Sequence, residues 1–232
     1  PLENDNNLAF LLRMQVGLPF TPLPRTVGTQ FDVDTPTDAL LLKYHPNLGA
    51  HTRAYLNGVA LNSSHIERVL PHLTRHEAEL VVFGRVAAEI YLMLEKGVAC
   101  RTRLFSEERG LVASGREARG EVRSLLGFAL DAVGADTFFD WLSQMGTAAL
   151  IDTRVLLAHR HMRASAHDRF NADLFRPDLI RDRWLSDFTR AAMNAKIPVI
   201  LGGHTLVCGG LYLMVDAAWK DHPPRKDARD AT

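Results

Sequence analysis

The sequence contains few cysteines and no excess of charge of either sign. Its two cysteines, Cys100 and Cys208, are widely separated and belong to no CxxC motif, which excludes the disulfide framework of a small secreted domain. Lysine plus arginine and aspartate plus glutamate number 27 each. Proteins whose main task is to neutralise nucleic-acid phosphates usually have a basic excess, so we expect no nucleic-acid partner.

The sequence also lacks the short motifs that identify common enzyme classes. No GxGxxG, P-loop or GxSxG pattern is present. His72 and His76 have the i,i+4 spacing of a shared metal site, but Pro71 and Thr74 separate them, and the HExxH pattern that starts at His76 lacks its second histidine. We therefore predict no metal site and no enzyme. A Ser–His–Asp or Cys–His site built from distant residues stays open, although no motif marks one.

Convincing strand alternation is also missing, whereas helix signals are frequent. Thr35 and Pro36 are typical of a helix start, and Asp38 follows three residues after the cap. Thr74-x-x-Glu77 is a capping box in front of a segment that is apolar on almost every side. These patterns predict an all-α protein. The predicted helices cover residues 35–45, 48–57, 64–70, 74–97, 114–134, 137–169 and 178–196.

The longest uncharged stretch of the chain runs from Ile197 to Val215, IPVILGGHTLVCGGLYLMV. As a helix this stretch would reach about 28 Å, close to the roughly 30 Å of hydrocarbon in a bilayer. Trp219, a little further on, suits the membrane interface. The stretch therefore predicts one transmembrane helix. The predicted organisation is an extended, proline-containing arm at 1–34, a bundle-like helical domain at 35–196, a transmembrane helix at 197–219 and a polar tail at 220–232.

Four glycines within this stretch would share about one third of a helix circumference. They are Gly202, Gly203, Gly209 and Gly210. A stripe of glycines is typical of close packing between membrane helices, so these residues predict contact with a transmembrane helix of a partner chain. The alternative is a buried helix, or a strand and turn, in a soluble core, with Gly202-Gly203 as the turn.

His204 is the strongest single candidate for chemistry, because ionisable residues at membrane depth are costly and often functional. The spacing His204-x4-Gly209-x6-Asp216 resembles the His…Gly…Asp pattern in the membrane anchors of succinate dehydrogenase. The resemblance covers residues 204–216 only, and those anchors have several spans where this chain has one. It implies that His204 and Asp216 contact a haem b or a quinone. We favour the other interpretation, a histidine hydrogen-bonded to a neighbouring helix, and therefore expect no cofactor.

Basic residues precede the apolar stretch and suit the headgroups of an anionic lipid such as cardiolipin. They are Arg181, Arg183, Arg190 and Lys196. A second basic segment, residues 154–169, also suits phosphates, but its aspartates favour a solvated face or salt bridges. The tail is equally basic, so the positive-inside rule gives no orientation.

Together these features predict a non-catalytic accessory subunit of a multi-subunit membrane complex, with the other subunits as its partners. The chain starts at Pro1 and contains 22 arginines against five lysines. Both features fit a processed mitochondrial protein from a GC-rich genome, so the predicted location is the mitochondrial inner membrane, in a respiratory-chain or ATP synthase complex. Two alternatives stay open: a redox-complex anchor that uses His204, and a soluble helical interaction protein with residues 197–215 in its core.

Overall fold

Four short segments of the sequence form a β-sheet at the centre of the molecule. The computed structural model describes residues 8–19 and 21–222. The strands are β1 Glu79–Gly84, β2 Arg101–Ser106, β3 Ala148–Asp152 and β4 Val199–Gly202. They lie in the order β2-β1-β3-β4 and all pairs are parallel.

Helices connect the strands and flank the sheet. In chain order they are α1 Leu8–Val16, α2 Val27–Gln30, α3 Pro36–Leu42, α4 Ala50–Asn57, α5 Ser64–Val69, α6 Ala88–Gly97, α7 Leu125–Met145, α8 Thr153–His159, α9 Ala166–Asp173, α10 Arg183–Met193 and α11 Gly209–Trp219. Short 3-10 helices span Leu70–Thr74, Pro177–Leu179 and Thr205–Val207.

The sheet is covered on both faces, so the core has two halves. On one face, Leu80 and Val82 of β1 pack with side chains of α3, α5, α6 and α11. On the other face, Val81 and Phe83 pack with side chains of α7, α8, α9 and α10. A parallel sheet between two helical layers is a doubly wound α/β architecture.

The prediction of an all-α fold is therefore wrong. The predicted helix at 74–97 contains β1, a turn and α6. Because both faces of the sheet are buried, its inner strands read as continuous apolar runs without alternation, and such runs resemble the centre of a buried helix. The predicted helix at 137–169 fails for the same reason, since it contains β3, whose five residues are all buried.

The prediction of a transmembrane helix at 197–219 is also wrong, and with it the single-pass location in the mitochondrial inner membrane. The stretch forms β4, a turn at His204, a 3-10 helix and α11. Most of its side chains are buried in the core. In the part of the chain that the structure describes, no helix has both the length and the apolar character that crossing a membrane requires. The alternative of a strand followed by a turn describes the observed path.

Several local predictions are confirmed. Thr35 caps α3 and accepts a hydrogen bond from the Asp38 amide, while the Asp38 carboxylate accepts from the Thr35 amide. The bounds of α4 and α5 agree with the predicted helices at 48–57 and 64–70. The predicted arm contains the short helices α1 and α2. Of the predicted tail, residues 223–232 lie outside the described residues, as do residues 1–7 and 20 of the arm.

Candidate functional site

The carboxyl ends of the four strands meet at one edge of the sheet. After β2 the chain returns past β1 to form β3, so the strand order reverses between β1 and β3. In open α/β sheets, ligands bind at this edge, in the crevice where the order reverses. A polar residue lies at the carboxyl end of each strand or within a few residues after it. These residues are Arg85 after β1, Arg109 after β2, Asp152 at the end of β3 and His204 after β4.

Asp152 fixes Arg85 at the mouth of this crevice. The Arg85 Nε and Nη2 groups donate to the two carboxylate oxygens of Asp152, at 2.6 and 3.1 Å. The Asp152 side chain is fully buried, whereas 22% of the Arg85 side chain is exposed. Asp152 also caps α8 by accepting from the Arg154 amide at 3.1 Å. The carboxylate therefore neutralises Arg85 and holds its guanidinium group in one orientation.

A second arginine, Arg109, contacts a histidine instead of a carboxylate. Its Nη2 lies 3.3 Å from the Nε2 of His204. A guanidinium group can only donate, so we assign Nε2 as the acceptor and place the imidazole proton on Nδ1. No carboxylate among the described residues forms an ion pair with Arg109. The neighbouring acids are engaged elsewhere, since Glu107 accepts from Ser124 and Glu108 binds Arg116.

The thiol of Cys208 completes this cluster. Its Sγ lies 3.3 Å from the same Nε2 of His204 and donates to the Arg85 carbonyl oxygen at 3.4 Å. Cys208 immediately precedes α11, and 8% of the residue is exposed. Burial raises the pKa of the Cys208 thiol, although the Ala87 amide and the Arg109 charge oppose this. The resting thiol is therefore protonated at neutral pH.

His204 is also neutral in this arrangement. Burial lowers its pKa most, and the charges of Arg85 and Arg109 lower the pKa further, against the opposing carboxylates of Asp152 and Asp32. A neutral imidazole can accept a proton from a thiol or a hydrogen bond from a guanidinium group, but its Nε2 has only one lone pair. Arg109 and Cys208 therefore compete for the same atom.

The two arginines and His204 line a cleft of about 640 Å³. Residues 110–113 also line it. They belong to the long connection between β2 and α7, which passes over this edge of the sheet and turns at glycines with positive φ, including Gly110. The volume is in the range of small-molecule sites. The cleft therefore has the size and the charge to hold a small anion.

A second polar cluster lies beneath the end of β4. Arg154 forms a bidentate ion pair with Asp173, with Nη–Oδ distances of 2.5 and 3.0 Å. Burial raises the pKa of the Asp173 carboxyl, and the positive charge of Arg154 opposes the rise. Thr37 donates to the Leu201 carbonyl oxygen at 2.8 Å. This cluster ties α3, α8 and α9 to β4, so we assign it a structural role.

Asp38 has a buried carboxylate oxygen without a hydrogen-bond partner among the described residues. Its Oδ2 accepts hydrogen bonds from Thr35 and from the Asp34 amide, whereas Oδ1 is buried and has no partner among the described residues. Burial raises the pKa of Asp38 to about 6, against the lowering effect of the Thr35 hydrogen bonds. The residue is fully buried within the fold, so its ionisation affects stability.

The residues predicted from the apolar stretch lie in β4, in the connection that follows it and in α11. Gly202 ends β4 and Gly203 follows it, whereas Gly209 and Gly210 begin α11. The four glycines therefore do not form a stripe on one helix, which was the basis of the predicted contact with a partner membrane helix. Of these residues, His204 alone lies in the cleft.

The other predicted site residues lie away from the cleft. Asp216 is exposed on α11, where His45 and not His204 is its neighbour. The basic residues predicted to contact lipid are exposed around α10. Three of the four are paired with carboxylates: Arg183 with Asp187, Arg190 with Asp178 and Lys196 with Asp140. Their contact with an anionic lipid stays a prediction.

Sequence reasoning missed four residues of the cluster as members of one site. They are Arg85, Arg109, Asp152 and Cys208. Arg85 and Glu89 have the i,i+4 spacing of a helical ion pair, but Glu89 binds Arg25 in the structure. The signal that identifies the site is a short apolar run followed at once by a polar residue, as in LVVFGR and AALID. In the described ranges, no three His, Cys, Asp or Glu side chains converge as metal ligands.

No protein-family model matches this sequence, and neither the curated proteins nor the solved structures contain a significant match to it.

Proposed function

We propose that this protein binds a small anionic molecule, bearing a phosphate or a carboxylate, in the cleft between Arg85, Arg109 and His204. The observation that carries the proposal is the environment of Arg109. Its guanidinium group lines a cleft at the reversal point of a parallel sheet and is paired there with a neutral imidazole. Arginine in such a position is well suited to bidentate contact with a phosphate or a carboxylate.

The balance of charge at the cleft supports an anion over a cation. Asp152 compensates Arg85 and is fully buried, so it presents no free carboxylate to the cleft. Arg109 forms no ion pair with a carboxylate of the described residues, and the Asp32 carboxylate acts on His204 only through its charge. A bound anion would therefore neutralise the positive charge of Arg109. It would not have to break the ion pair between Arg85 and Asp152.

The subunit role predicted from the sequence stays a prediction, because none of these observations concerns partner chains. It depended on a transmembrane helix, and the residues that suggested that helix form β4 and α11 instead. We therefore favour ligand binding at the cleft, which is supported by positions and distances of named side chains.

Thermal unfolding with added anions tests this proposal. Inorganic phosphate and succinate represent the two ligand classes, and chloride at equal ionic strength controls for screening. We expect one of the two anions to raise the unfolding midpoint in proportion to the logarithm of its concentration. Arg109→Gln should abolish the increase. Arg183→Gln is the matched control, since this arginine is 96% exposed outside the cleft and should leave the increase unchanged.

Two results would overturn the proposal. One is that neither anion raises the midpoint above the chloride control. The other is an equal increase in wild type and Arg109→Gln, which would place the anion elsewhere on the protein.

A further inference from the structure

Cys208 and His204 form a nucleophile–base pair, in which His204 lines the cleft and the buried Cys208 contacts His204. The distance of 3.3 Å from Sγ to Nε2 is within hydrogen-bond reach for sulfur, and His204 itself lines the cleft. Pairs of this kind activate thiols in covalent catalysis. The second cysteine, Cys100, is buried in the core with no such neighbour among its described contacts, so the chain provides its own comparison.

We infer that Cys208 is the nucleophile, and His204 its general base, for acyl transfer from an anionic ester or thioester bound in the cleft. The inference rests on the proposed function for the binding of the anionic group. It adds a reaction to that binding and assigns a role to two residues.

Arg109 keeps the pair inactive in the empty site. Its Nη2 donates to the Nε2 lone pair that the thiol needs, and its charge disfavours an imidazolium ion. An anionic group that draws Arg109 into an ion pair would release this lone pair and offset this charge. His204 lines the cleft, so a bound anion favours the imidazolium ion. Substrate binding would thus free Nε2 of His204 to accept the thiol proton.

The reaction proceeds in two balanced steps. In the first, Nε2 of His204 takes the thiol proton and Sγ of Cys208 attacks the carbonyl carbon. The C–S bond forms, and the tetrahedral intermediate collapses with cleavage of the bond to the leaving alcohol or thiol, which receives the proton from Nε2. In the second, water attacks the thioester on Cys208 with His204 again as base. The C–S bond breaks, the carboxylic acid is released, and the proton on Nε2 of His204 returns to Sγ to restore the thiol.

A matched pair of esters tests the inference. 4-Nitrophenyl succinate bears a carboxylate and 4-nitrophenyl acetate does not, while both release nitrophenolate. We expect a burst of nitrophenolate and an acyl group on the Cys208 peptide in mass spectrometry. After correction for the reactivity of each ester with a free thiol, the anionic ester should react at least roughly tenfold faster. Cys100 should stay unmodified.

Three variants separate the roles. Cys208→Ser should remove the burst and the adduct. His204→Gln should slow the burst by roughly a hundredfold, which is the typical contribution of a general base. Arg109→Gln should abolish the preference for the anionic ester, whereas Arg183→Gln should behave as wild type. Thermal unfolding of each variant without ligand verifies that it folds.

The outcomes distinguish this inference from the binding proposal. If phosphate or succinate stabilises both wild type and Cys208→Ser, but no ester acylates Cys208, the thiol reaction is overturned and the binding proposal stands. Acylation of Cys208 at equal rates in wild type and His204→Gln would also overturn it. If both esters acylate Cys208 equally and neither anion stabilises the protein, the anionic substrate and the binding proposal fail together.

Discussion

Gly84 and Asp152 approach so closely that a Cβ atom on Gly84 would lie 2.3 Å from the Cβ of Asp152. The two residues end neighbouring strands, β1 and β3, at the point where the strand order reverses. Gly84 also has a φ of +133°, which other residues rarely adopt. The glycine therefore lets the Asp152 side chain pass β1 and reach Arg85, the next residue.

Replacement of Gly84 by alanine tests this packing. We expect Gly84→Ala to lower the free energy of unfolding by about 3 kcal/mol or more, because it adds a backbone strain to a steric clash. The midpoint of urea unfolding measures the change. Gly28→Ala is the control, since its Cβ would have only one ordinary contact, 3.8 Å from the Thr26 hydroxyl. Equal midpoints for the two variants would contradict the account.

Gly209 makes its close contact within the chain. A Cβ at this position would lie 2.0 Å from the Gln30 carbonyl oxygen, so α11 packs directly on the backbone at the end of α2. We expect Gly209→Ala to cost about 3 kcal/mol of unfolding free energy and to expose the segment near Gln30 to protease.

The control for Gly209 is Gly203→Ala. Its added Cβ would lie 3.3 Å from a methyl group of Thr35, so the expected cost is about 1 kcal/mol or less. If the protease cuts both variants at the same rate, residues 26–31 do not depend on the contact with Gly209.

Asp38 should make stability depend on pH. Its pKa in the folded state, about 6, is above the value of an exposed carboxyl. The folded protein therefore binds the proton more tightly than the unfolded chain. This contribution is fully present at low pH, below the unfolded pKa, and is lost as the pH rises through about 6.

Asp38→Asn should remove that dependence. Between about pH 4.5 and 7.5, wild type should lose about 2 kcal/mol more unfolding free energy than the variant. Asparagine leaves a buried amide without a partner, so the comparison uses the change with pH and not the stability at one pH. The exposed Asp187→Asn serves as the control, with the pH profile of wild type. A profile of Asp38→Asn that runs parallel to wild type would refute the role of Asp38.

The buried ion pair of Arg154 and Asp173 should contribute far more than an exposed pair. Asp173→Asn removes the carboxylate but leaves the guanidinium group, which is only 13% exposed. We expect a loss of about 3 to 5 kcal/mol in urea unfolding, because an uncompensated charge stays buried. Asp178→Asn breaks the exposed pair with Arg190 and should cost about 1 kcal/mol or less. Similar losses would mean that the buried pair has relaxed into solvent.

Local signals predicted the start of α3 correctly, but the capping box at Thr74 precedes β1, and the helix predicted from residue 114 begins only at Leu125. The capping residues of α3 act within four residues, so Thr35 and Asp38 could be identified from spacing alone. β1 and β4 have no such local signature. Their residues Leu80 to Phe83 and Val199 to Leu201 are buried on both faces, and only the parallel neighbours in the sheet distinguish these runs from a helix.

The site was harder to predict than the fold because its members are far apart in the chain. His204 was predicted as a functional residue because it was placed in a membrane helix, and that environment is wrong. Its actual neighbours are Arg109, 95 positions away, and Cys208, four positions away around a 3-10 turn. These residues come together because the chain crosses from β2 past β1 to form β3. The spacing of residues in the sequence does not predict such a crossover.

The central claim is that Arg109 holds an anion in the cleft, and isothermal titration calorimetry tests it most directly. Phosphate and succinate are titrated into wild type, Arg109→Gln and Arg183→Gln at constant ionic strength. The account predicts one site per chain for at least one anion in wild type and Arg183→Gln, with no measurable binding to Arg109→Gln. Binding of that anion to Arg109→Gln with the affinity and stoichiometry of wild type would contradict it.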